Sequence, residues 1–276
     1  MMMTQPTAEG WQLEENSAEA YERYLASAFS PWAKALVALA DVKNGERVLD
    51  VACGTGIVAR HAALKAGAAG KVVGLDLNKE MLRVAETVSA DVRPAIEWRQ
   101  GNAADLPFPP AAFDAVFCEQ AMQFFSDPVK ALCEMHRVLA PGARVAVSVC
   151  RPLPYSPAYV TMASALERHV GPEAGAMMRS PFSTWSVDQF RSLFTEAGFR
   201  DVHVRIEVCS IRYPSVEEFV RREAASSPLA GPIGALNAHV RNDLIRDLQI
   251  ALFDHVDDEG VVCPIETYVS LGRRGE

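Results

Sequence analysis

The spacing of apolar residues changes along the chain, and each change predicts a different kind of element. Between residues 14 and 40, apolar and aromatic side chains recur at every third or fourth position, which is typical of an amphipathic helix. The dipeptide Ser30-Pro31 interrupts this segment, and proline fits the first turn of a helix. The pattern therefore predicts one helix that ends near Ser30 and a second helix that begins at Pro31.

Short apolar runs alternate with helical patterns in the next part of the chain. The runs predict five strands, at 47–51, 71–75, 96–100, 113–117 and 144–149. Strands that alternate with helices at this spacing form a parallel sheet covered by helices on both faces, and their crossovers are right-handed. We therefore expect an α/β fold with a doubly wound, mostly parallel sheet.

The pattern is looser after Cys150, where prolines and helical stretches replace the regular alternation. The remaining elements are a loop, a capped helix, two more strands and a helical insertion, predicted at 151–159, 186–198, 202–206, 261–271 and 215–256. The expected sheet thus has seven strands, with N-terminal helices before it and a helical insertion near the C-terminus. We expect all of it to form a single domain.

Composition narrows the class of protein. The 276 residues are 49% apolar and 22% charged, as in folded globular proteins, and 27 basic against 35 acidic residues leave a net charge of −8. An acidic chain lacks the positive surface that nucleic-acid binding needs, so no nucleic-acid partner is expected. No apolar stretch reaches the length of a membrane span, and residues 1–6 do not resemble a signal peptide. We expect a soluble, cytoplasmic protein.

The six cysteines are scattered singly, which predicts reduced thiols and no disulfide framework. The nearest approach to a ligand pair is Cys133-x-x-His136, in a helical pattern with nothing obvious to complete four ligands. We expect no metal site.

The candidate chemistry is concentrated in a glycine turn after the first predicted strand. The sequence Gly54-x-Gly56-x-x-Ala59, with Asp76 22 residues after Gly54, matches a nucleotide-binding fingerprint. Glycines allow a ligand to approach the backbone, and a carboxylate at the end of the next strand accepts hydrogen bonds from ribose hydroxyls. This motif alone fits both NAD and S-adenosylmethionine.

Asp50 distinguishes between these two candidate ligands. A carboxylate four residues before Gly54 lies where a pyrophosphate must pass, and two anions there repel each other. The same carboxylate is well placed to pair with an ammonium group, directly or through water. S-adenosylmethionine carries an ammonium group and a sulfonium but no phosphate, so Asp50 favours it.

Five ordered motifs carry a family resemblance. They are Val48-Leu-Asp-Val-Ala-Cys-Gly-Thr-Gly56, Gly74-Leu-Asp-Leu-Asn-Lys-Glu-Met-Leu82, Gln100-Gly-Asn-Ala-Ala-Asp-Leu-Pro-Phe108, Phe113-Asp-Ala-Val-Phe117 and Arg137-Val-Leu-Ala-Pro-Gly142. In order and spacing they resemble class I S-adenosylmethionine-dependent methyltransferases of the UbiE-like, type 11 branch. The resemblance implies a Rossmann-like methyltransferase fold, with S-adenosylmethionine as cofactor and S-adenosylhomocysteine as product.

The resemblance also implies roles at the methionine end of the cofactor. Asp50, Gly54 and Gly56 would hold the methionyl moiety. Glu119 or Gln120 would lie under the cofactor, after the fourth strand.

Five residues are implied to hold the ribose and the adenine. Asp76 would accept both ribose hydroxyls, Leu77 would lie beside the adenine, and Met81 would pack near it unless it is ordinary core. Asn102 and Ala103 would meet the adenine edge. Position 102 is Asn where many relatives have Asp, so we expect weaker but intact recognition.

The predicted domain has three parts. Residues 14–40 form an N-terminal helical lid in which Tyr24 or Tyr21 closes over the methionine end, or only packs a helix on the sheet. Residues 45–150 form the cofactor-binding core, and residues 151–276 supply the remaining sheet and the acceptor-binding helices.

The expected reaction is in-line displacement at the sulfonium methyl, driven mainly by proximity and orientation. The acceptor should lie above the carboxyl ends of the strands. The residues expected to line its pocket are Gln123, Phe124, Tyr155, Tyr159 and Tyr213. This lining favours a small, partly apolar or aromatic acceptor, such as a secondary metabolite or a quinone-like ring. The catalytic residues, the choice among O-, C- and N-methylation, and the oligomeric state stay open.

Two other functions remain as alternatives. An NAD(P)-dependent oxidoreductase would need a phosphate path past Asp50, and no Tyr-x-x-x-Lys pattern supports it. The second alternative is a protein of the same fold that binds S-adenosylmethionine for regulation or for other chemistry. Release of S-adenosylhomocysteine would distinguish a methyltransferase from such a protein.

Overall fold

The computed structural model describes residues 17–276, and an open eight-stranded sheet runs through them. The strands are β1 (Arg47–Val51), β2 (Lys71–Asp76), β3 (Ile96–Gln100), β4 (Phe113–Glu119), β5 (Leu139–Cys150), β6 (Arg200–Tyr213), β7 (Val256–Asp257) and β8 (Gly260–Arg273). Their order is β3-β2-β1-β4-β5-β8-β6, with β7 paired to β8 outside this path. The five N-terminal strands are parallel, and β8 is antiparallel to β5. The predicted doubly wound, mostly parallel α/β sheet is confirmed, and the two-residue β7 is added to the seven predicted strands.

Helices connect and flank these strands. They are α1 (Ser17–Ala20), α2 (Ser27–Leu39), α3 (Ile57–Ala66), α4 (Lys79–Val88), α5 (Pro128–Val138), α6 (Pro157–His169), α7 (Pro172–Arg179), α8 (Val187–Glu196), α9 (Val216–Ala225), α10 (Ala230–Gly234) and α11 (Ala238–Ala251). A π-helical segment, Tyr21–Ala26, joins α1 to α2. None of the helices within residues 17–276 combines the length and apolarity that crossing a bilayer requires.

Strand alternation places two hydrophobic cores on opposite faces of the sheet. Val48 and Phe117 belong to the core that contains residues of α2 and α3, whereas Leu49, Val51 and Val116 belong to the core that contains residues of α5 and α8. Asp50 therefore projects to the α3 face of β1, because successive side chains of a strand point to opposite faces.

Strand order reverses at β1, which lies between β2 and β4. Ligands of open α/β sheets bind outside the carboxyl ends of the strands at such a switch point. The glycine turn leaves β1 at this point, so the fold puts the motif residues where a ligand is expected.

Contacts between residues divide the described chain into two compact units. The first unit contains residues 17–25, 156–180 and 210–264, and the second contains residues 26–155, 181–209 and 265–276. The glycine turn belongs to the second unit. The interpretation of residues 1–276 as a single domain stays a prediction, and residues 14–16 of the predicted lid lie outside the described residues.

The predicted helix break at Ser30-Pro31 is wrong. The helix α2 begins at Ser27 and continues through Pro31. Proline removes one backbone donor from the helix, but Trp32, Leu36 and Val37 are buried in the next two turns. Tertiary packing of this apolar face outweighs the local cost of the proline.

Candidate cofactor and acceptor site

Three carboxylates lie at the carboxyl ends of neighbouring strands. Asp50 is on β1, Asp76 ends β2 and Glu119 ends β4. Because these strands are adjacent and parallel, their carboxyl ends meet at one edge of the sheet. The structure thus brings together the acidic residues that the sequence proposes for cofactor binding.

Asp50 is buried and holds the start of α3. Its Oδ2 accepts a hydrogen bond from the Ala59 backbone N–H at 2.9 Å. Burial raises the pKa of Asp50 to about 8, the charge of Asp76 adds to this rise, and the Ala59 hydrogen bond and Arg60 oppose it. A carboxyl group with such a pKa is readily ionised by a nearby cation.

Asp76 ties the end of β2 to the glycine turn. One carboxylate oxygen accepts from the Gly54 backbone N–H at 2.8 Å, and the other accepts from the Asn78 N–H at 2.8 Å. A carboxylate has about four acceptor positions, so these two bonds leave capacity for two ribose hydroxyls.

The glycine turn depends on backbone conformations that glycine adopts without strain. Gly54 has φ of 54° and Gly56 has φ of 83°. The Trp98 ring of β3 also packs against the turn, so a Cβ at Gly56 would lie 2.2 Å from a ring carbon. Between the glycines, the Thr55 hydroxyl is buried without a hydrogen-bond partner among the described residues. Trp98 is not among the predicted site residues, because a tryptophan in a short strand is usually an ordinary core residue.

The residues proposed for adenine contact surround the carboxyl ends of β2 and β3. Leu77 is 66% exposed, Met81 is half-buried and Ala103 is buried. Asn102 Oδ1 accepts from the Ala104 N–H at 2.9 Å, so this oxygen already stabilises the turn. Exposed Leu77 presents an apolar surface to an incoming ring.

Glu119 and Gln120 end β4 in a polar and strained turn. Burial, followed by repulsion from Asp50, raises the pKa of Glu119 well above its ordinary value. Gln120 has φ of 50°, in the left-handed region, and its backbone N–H donates to the Ser148 carbonyl of β5 at 2.8 Å. Strain of this kind in a non-glycine residue is concentrated at functional sites.

Tyr24 and two further tyrosines lie in the first unit. Arg221 donates to the Tyr24 hydroxyl at 3.3 Å, and the guanidinium groups of Arg221 and Arg222 pack near its ring. Tyr159 and Tyr213 are buried, and both donate to Glu223. The lid role of Tyr24 stays a prediction.

The site fits S-adenosylmethionine by charge. Asp50 and Glu119 each have a raised pKa because they are buried and near another carboxylate, and a bound cation relieves both effects. The ammonium and sulfonium groups of S-adenosylmethionine are such cations, whereas a pyrophosphate would add negative charge. Within residues 17–276 there is no group of three or more His, Cys, Asp or Glu side chains arranged to hold a metal ion.

Known proteins share both the motif region and the fold. Residues 49–147 match a family model described as a methyltransferase domain. Demethylmenaquinone methyltransferase of Staphylococcus epidermidis is 32% identical over 185 residues, which are 63% of this chain and 76% of that protein. The chain belongs to the S-adenosylmethionine-dependent methyltransferase family. The predicted methyltransferase family is thereby confirmed, with S-adenosylmethionine as the cofactor of the family.

Other similarities to this methyltransferase cover different shares of the chains. The chloroplastic 2-phytyl-1,4-beta-naphthoquinone methyltransferase of Arabidopsis thaliana is 40% identical over 120 residues, which are 42% of this chain and 46% of that protein. This chain therefore spans less than half the length of the plant relative. A solved structure of a putative methyltransferase from Bacillus halodurans has a TM-score of 0.59 at 22% identity, over 88% of this chain and 99% of that chain, which supports the fold.

Proposed function

We propose that this methyltransferase transfers the methyl group of S-adenosylmethionine to a small, quinone-like aromatic acceptor. The observation that carries the proposal is the pair of carboxyl groups with raised pKa values, buried Asp50 and half-buried Glu119, at the carboxyl ends of β1 and β4 beside the glycine turn. Relatives named for naphthoquinone and menaquinone precursors support the class of acceptor. Cytoplasmic location and the lack of a nucleic-acid partner stay predictions.

Each motif residue has a proposed part in binding the methyl donor. Asp50 and the turn from Gly54 to Gly56 hold the methionyl end, and Asp76 accepts hydrogen bonds from the ribose hydroxyls. Glu119 and Gln120 support the cofactor from β4. Four further residues are proposed to contact the adenine: Leu77, Met81, Asn102 and Ala103. Tyr24 is proposed to act as the lid.

Binding and orientation supply most of the rate enhancement in this proposal. When bound, S-adenosylmethionine supplies a methyl group that its positive sulfur already activates. The chain contributes alignment of the acceptor with that methyl group, for which well-oriented reactions gain about 7–11 kcal/mol. Asp50 and Glu119 favour the cationic donor over its neutral-sulfur product, which assists exchange after transfer.

Thermal unfolding tests the cofactor, and methyl transfer tests the activity. S-adenosylmethionine at about 100 times its Kd should add about 2.7 kcal/mol of stability and raise Tm by several degrees, whereas NAD and NADP should not. Labelled methyl groups should then appear on a naphthoquinol acceptor, with release of S-adenosylhomocysteine. Cofactor binding without transfer to any ring acceptor would instead favour a repurposed binding protein.

Substitution of Asp76 tests the ribose assignment. Asp76→Asn retains one acceptor oxygen but removes the charge, and we expect it to weaken S-adenosylmethionine binding by about 1.5–3 kcal/mol. Calorimetry measures the change, with exposed Asp91→Asn as a matched control that should bind as the unaltered protein does. An unchanged Kd in Asp76→Asn would reject the assignment.

A further inference from the structure

The amide group of Gln123 has a fixed orientation. Its Nε2 donates to the Gln120 backbone carbonyl at 3.2 Å and to the Pro181 carbonyl at 3.0 Å. Backbone carbonyls only accept hydrogen bonds, so the nitrogen must face them and the amide oxygen must face away. Two elements, the turn after β4 and the segment before α8, thus determine where Gln123 Oε1 lies.

This fixed oxygen is buried and unsatisfied. Gln123 Oε1 has no hydrogen-bond partner within the described part of the chain. A buried amide oxygen without a donor costs about 1–3 kcal/mol, so natural structures satisfy such atoms with protein, water or ligand. Because an amide oxygen cannot donate, its partner must carry an O–H or N–H group.

Gln120 presents a second oxygen of the same kind. Its Nε2 donates to the Ser148 hydroxyl at 3.4 Å, and its Oε1 is buried without a partner among residues 17–276. Glu119 Oε1, one residue earlier, is also buried without a partner there. These unsatisfied oxygens belong to one short segment after β4, whose backbone is strained at Gln120.

The segment lies on the acceptor side of the proposed cofactor site. Glu119 pairs with Ser148 of β5, so the turn is at the carboxyl ends of β4 and β5. The cofactor motifs lie at the ends of β1, β2 and β3. Gln123 therefore lies on the β4–β5 side of these motifs.

We propose that Gln123 is a specificity-determining residue that accepts a hydrogen bond from an acceptor hydroxyl. The inference rests on the proposed function and assigns the residue that recognises a hydroxyl group on the aromatic ring. A ring that presents only carbonyl or ether oxygens has no hydrogen to donate, so its oxygen and Gln123 Oε1 would repel each other.

Ring binding to the protein loaded with S-adenosylhomocysteine tests this selectivity without turnover. The probes are 1,4-dihydroxynaphthalene and 1,4-dimethoxynaphthalene, compared by calorimetry under anaerobic conditions. Both are preferable to a quinone probe, because the exposed Cys133 thiol can add to a quinone. We expect the diol to bind about tenfold more tightly than the dimethyl ether.

Gln123→Met separates recognition from a structural role. The variant removes the amide oxygen, so the tenfold preference for the diol should fall close to one, while S-adenosylhomocysteine affinity stays unchanged. A merely structural role would weaken both rings equally and leave their ratio intact. Gln249→Met on α11 changes an exposed glutamine in the same way and should retain the full preference.

The outcomes distinguish this inference from the proposed function. Equal binding of the two rings, or a preference that persists in Gln123→Met, overturns the inference and leaves methyl transfer intact. If the nucleoside binds but neither ring does, both the inference and the aromatic acceptor class are wrong. Should Gln123→Met fail to fold, equal binding of the two rings to the unaltered protein still overturns the inference.

Discussion

Trp98 restricts which residues the neighbouring strand and turn can contain. Its indole ring packs against Gly56 and Gly74, and its Nε1 donates to the Ser89 hydroxyl at 3.3 Å. A Cβ built at Gly74 would lie 2.2 Å from the ring. Gly74 has an ordinary φ, so the space that Trp98 occupies, and not backbone strain, requires glycine there.

Gly74→Ala should therefore destabilise the protein by about 1–3 kcal/mol through overpacking. Trp98→Leu makes room, so the double variant should be more stable than the two separate losses predict. Urea unfolding followed by circular dichroism measures this coupling. Gly231→Ala, where nothing lies within 4 Å of the added Cβ, is the control and should be close to neutral. Strictly additive losses would show that Trp98 does not explain the requirement for glycine.

Residues differ in how far sequence alone could assign them. That Gly54, Gly56 and Asp76 meet at one turn could be predicted, because a tight turn between a strand and a helix leaves a recognisable spacing. Trp98 has no such spacing, and for Gln123 the sequence predicted a place in the acceptor pocket but not its hydrogen bonds. Their importance comes from contacts with Gly74 and Pro181, which are distant in sequence and become neighbours only after folding.

At the scale of elements, a buried hydrogen-bonded cluster joins α6, β6 and α9 of the first unit. Tyr159 and Tyr213 both donate to Glu223 Oε1, at 3.0 and 2.5 Å, and their hydroxyl oxygens are 3.2 Å apart. Burial raises the pKa of Glu223, and the two tyrosine hydrogen bonds oppose that rise. The carboxyl group thus satisfies two buried hydroxyls at once.

Glu223→Met should leave both hydroxyls without their acceptor and reduce the free energy of unfolding by about 1–3 kcal/mol. Glu223→Gln retains one carbonyl oxygen and should cost less. Chemical denaturation measures both variants, with the exposed Glu217→Met of the same helix as a control of matched chemistry. If Met and Gln at position 223 cost the same, the hydrogen bonds do not stabilise this junction.

The elements themselves were predictable where hydrophobic period and tertiary packing agree. The alternating runs gave β1 to β4 to within two residues, because buried parallel strands are short and apolar. Elements whose limits depend on partners were less predictable. The strand β6 continues from Arg200 to Tyr213, well beyond the predicted 202–206, and packing maintains α2 through Pro31.

At the scale of the whole molecule, sequence order predicted a doubly wound sheet because each βαβ unit constrains the next. The division into two units could not be predicted from the order of elements, because the first unit consists of three segments that are separate in sequence. Long-range contacts of this kind leave no periodic signal in the chain.

Stability of the whole molecule should depend on pH through Asp50. Burial raises the pKa of Asp50 to about 8 in the folded protein, whereas the unfolded chain has an ordinary value of about 3.9. The folded state thus binds a proton more tightly, and its contribution to stability is fully present below about pH 4. Stability is lost as pH rises from about 4 to 8, by up to about 1.4 kcal/mol per pH unit.

Asp50→Asn should remove this part of the pH dependence while retaining an acceptor for the Ala59 N–H. His61 and His136 have pKa values lowered by burial and oppose the trend at low pH, so the difference between the unaltered protein and the variant is the quantity to measure. Urea unfolding at pH 5.5, 6.5 and 7.5 provides it. Because a cationic ligand binds the ionised carboxylate, S-adenosylmethionine affinity should rise with pH in the unaltered protein and rise less in the variant, which retains only Glu119. Parallel pH profiles for the two proteins would show that Asp50 does not titrate in this range, which would contradict its raised pKa.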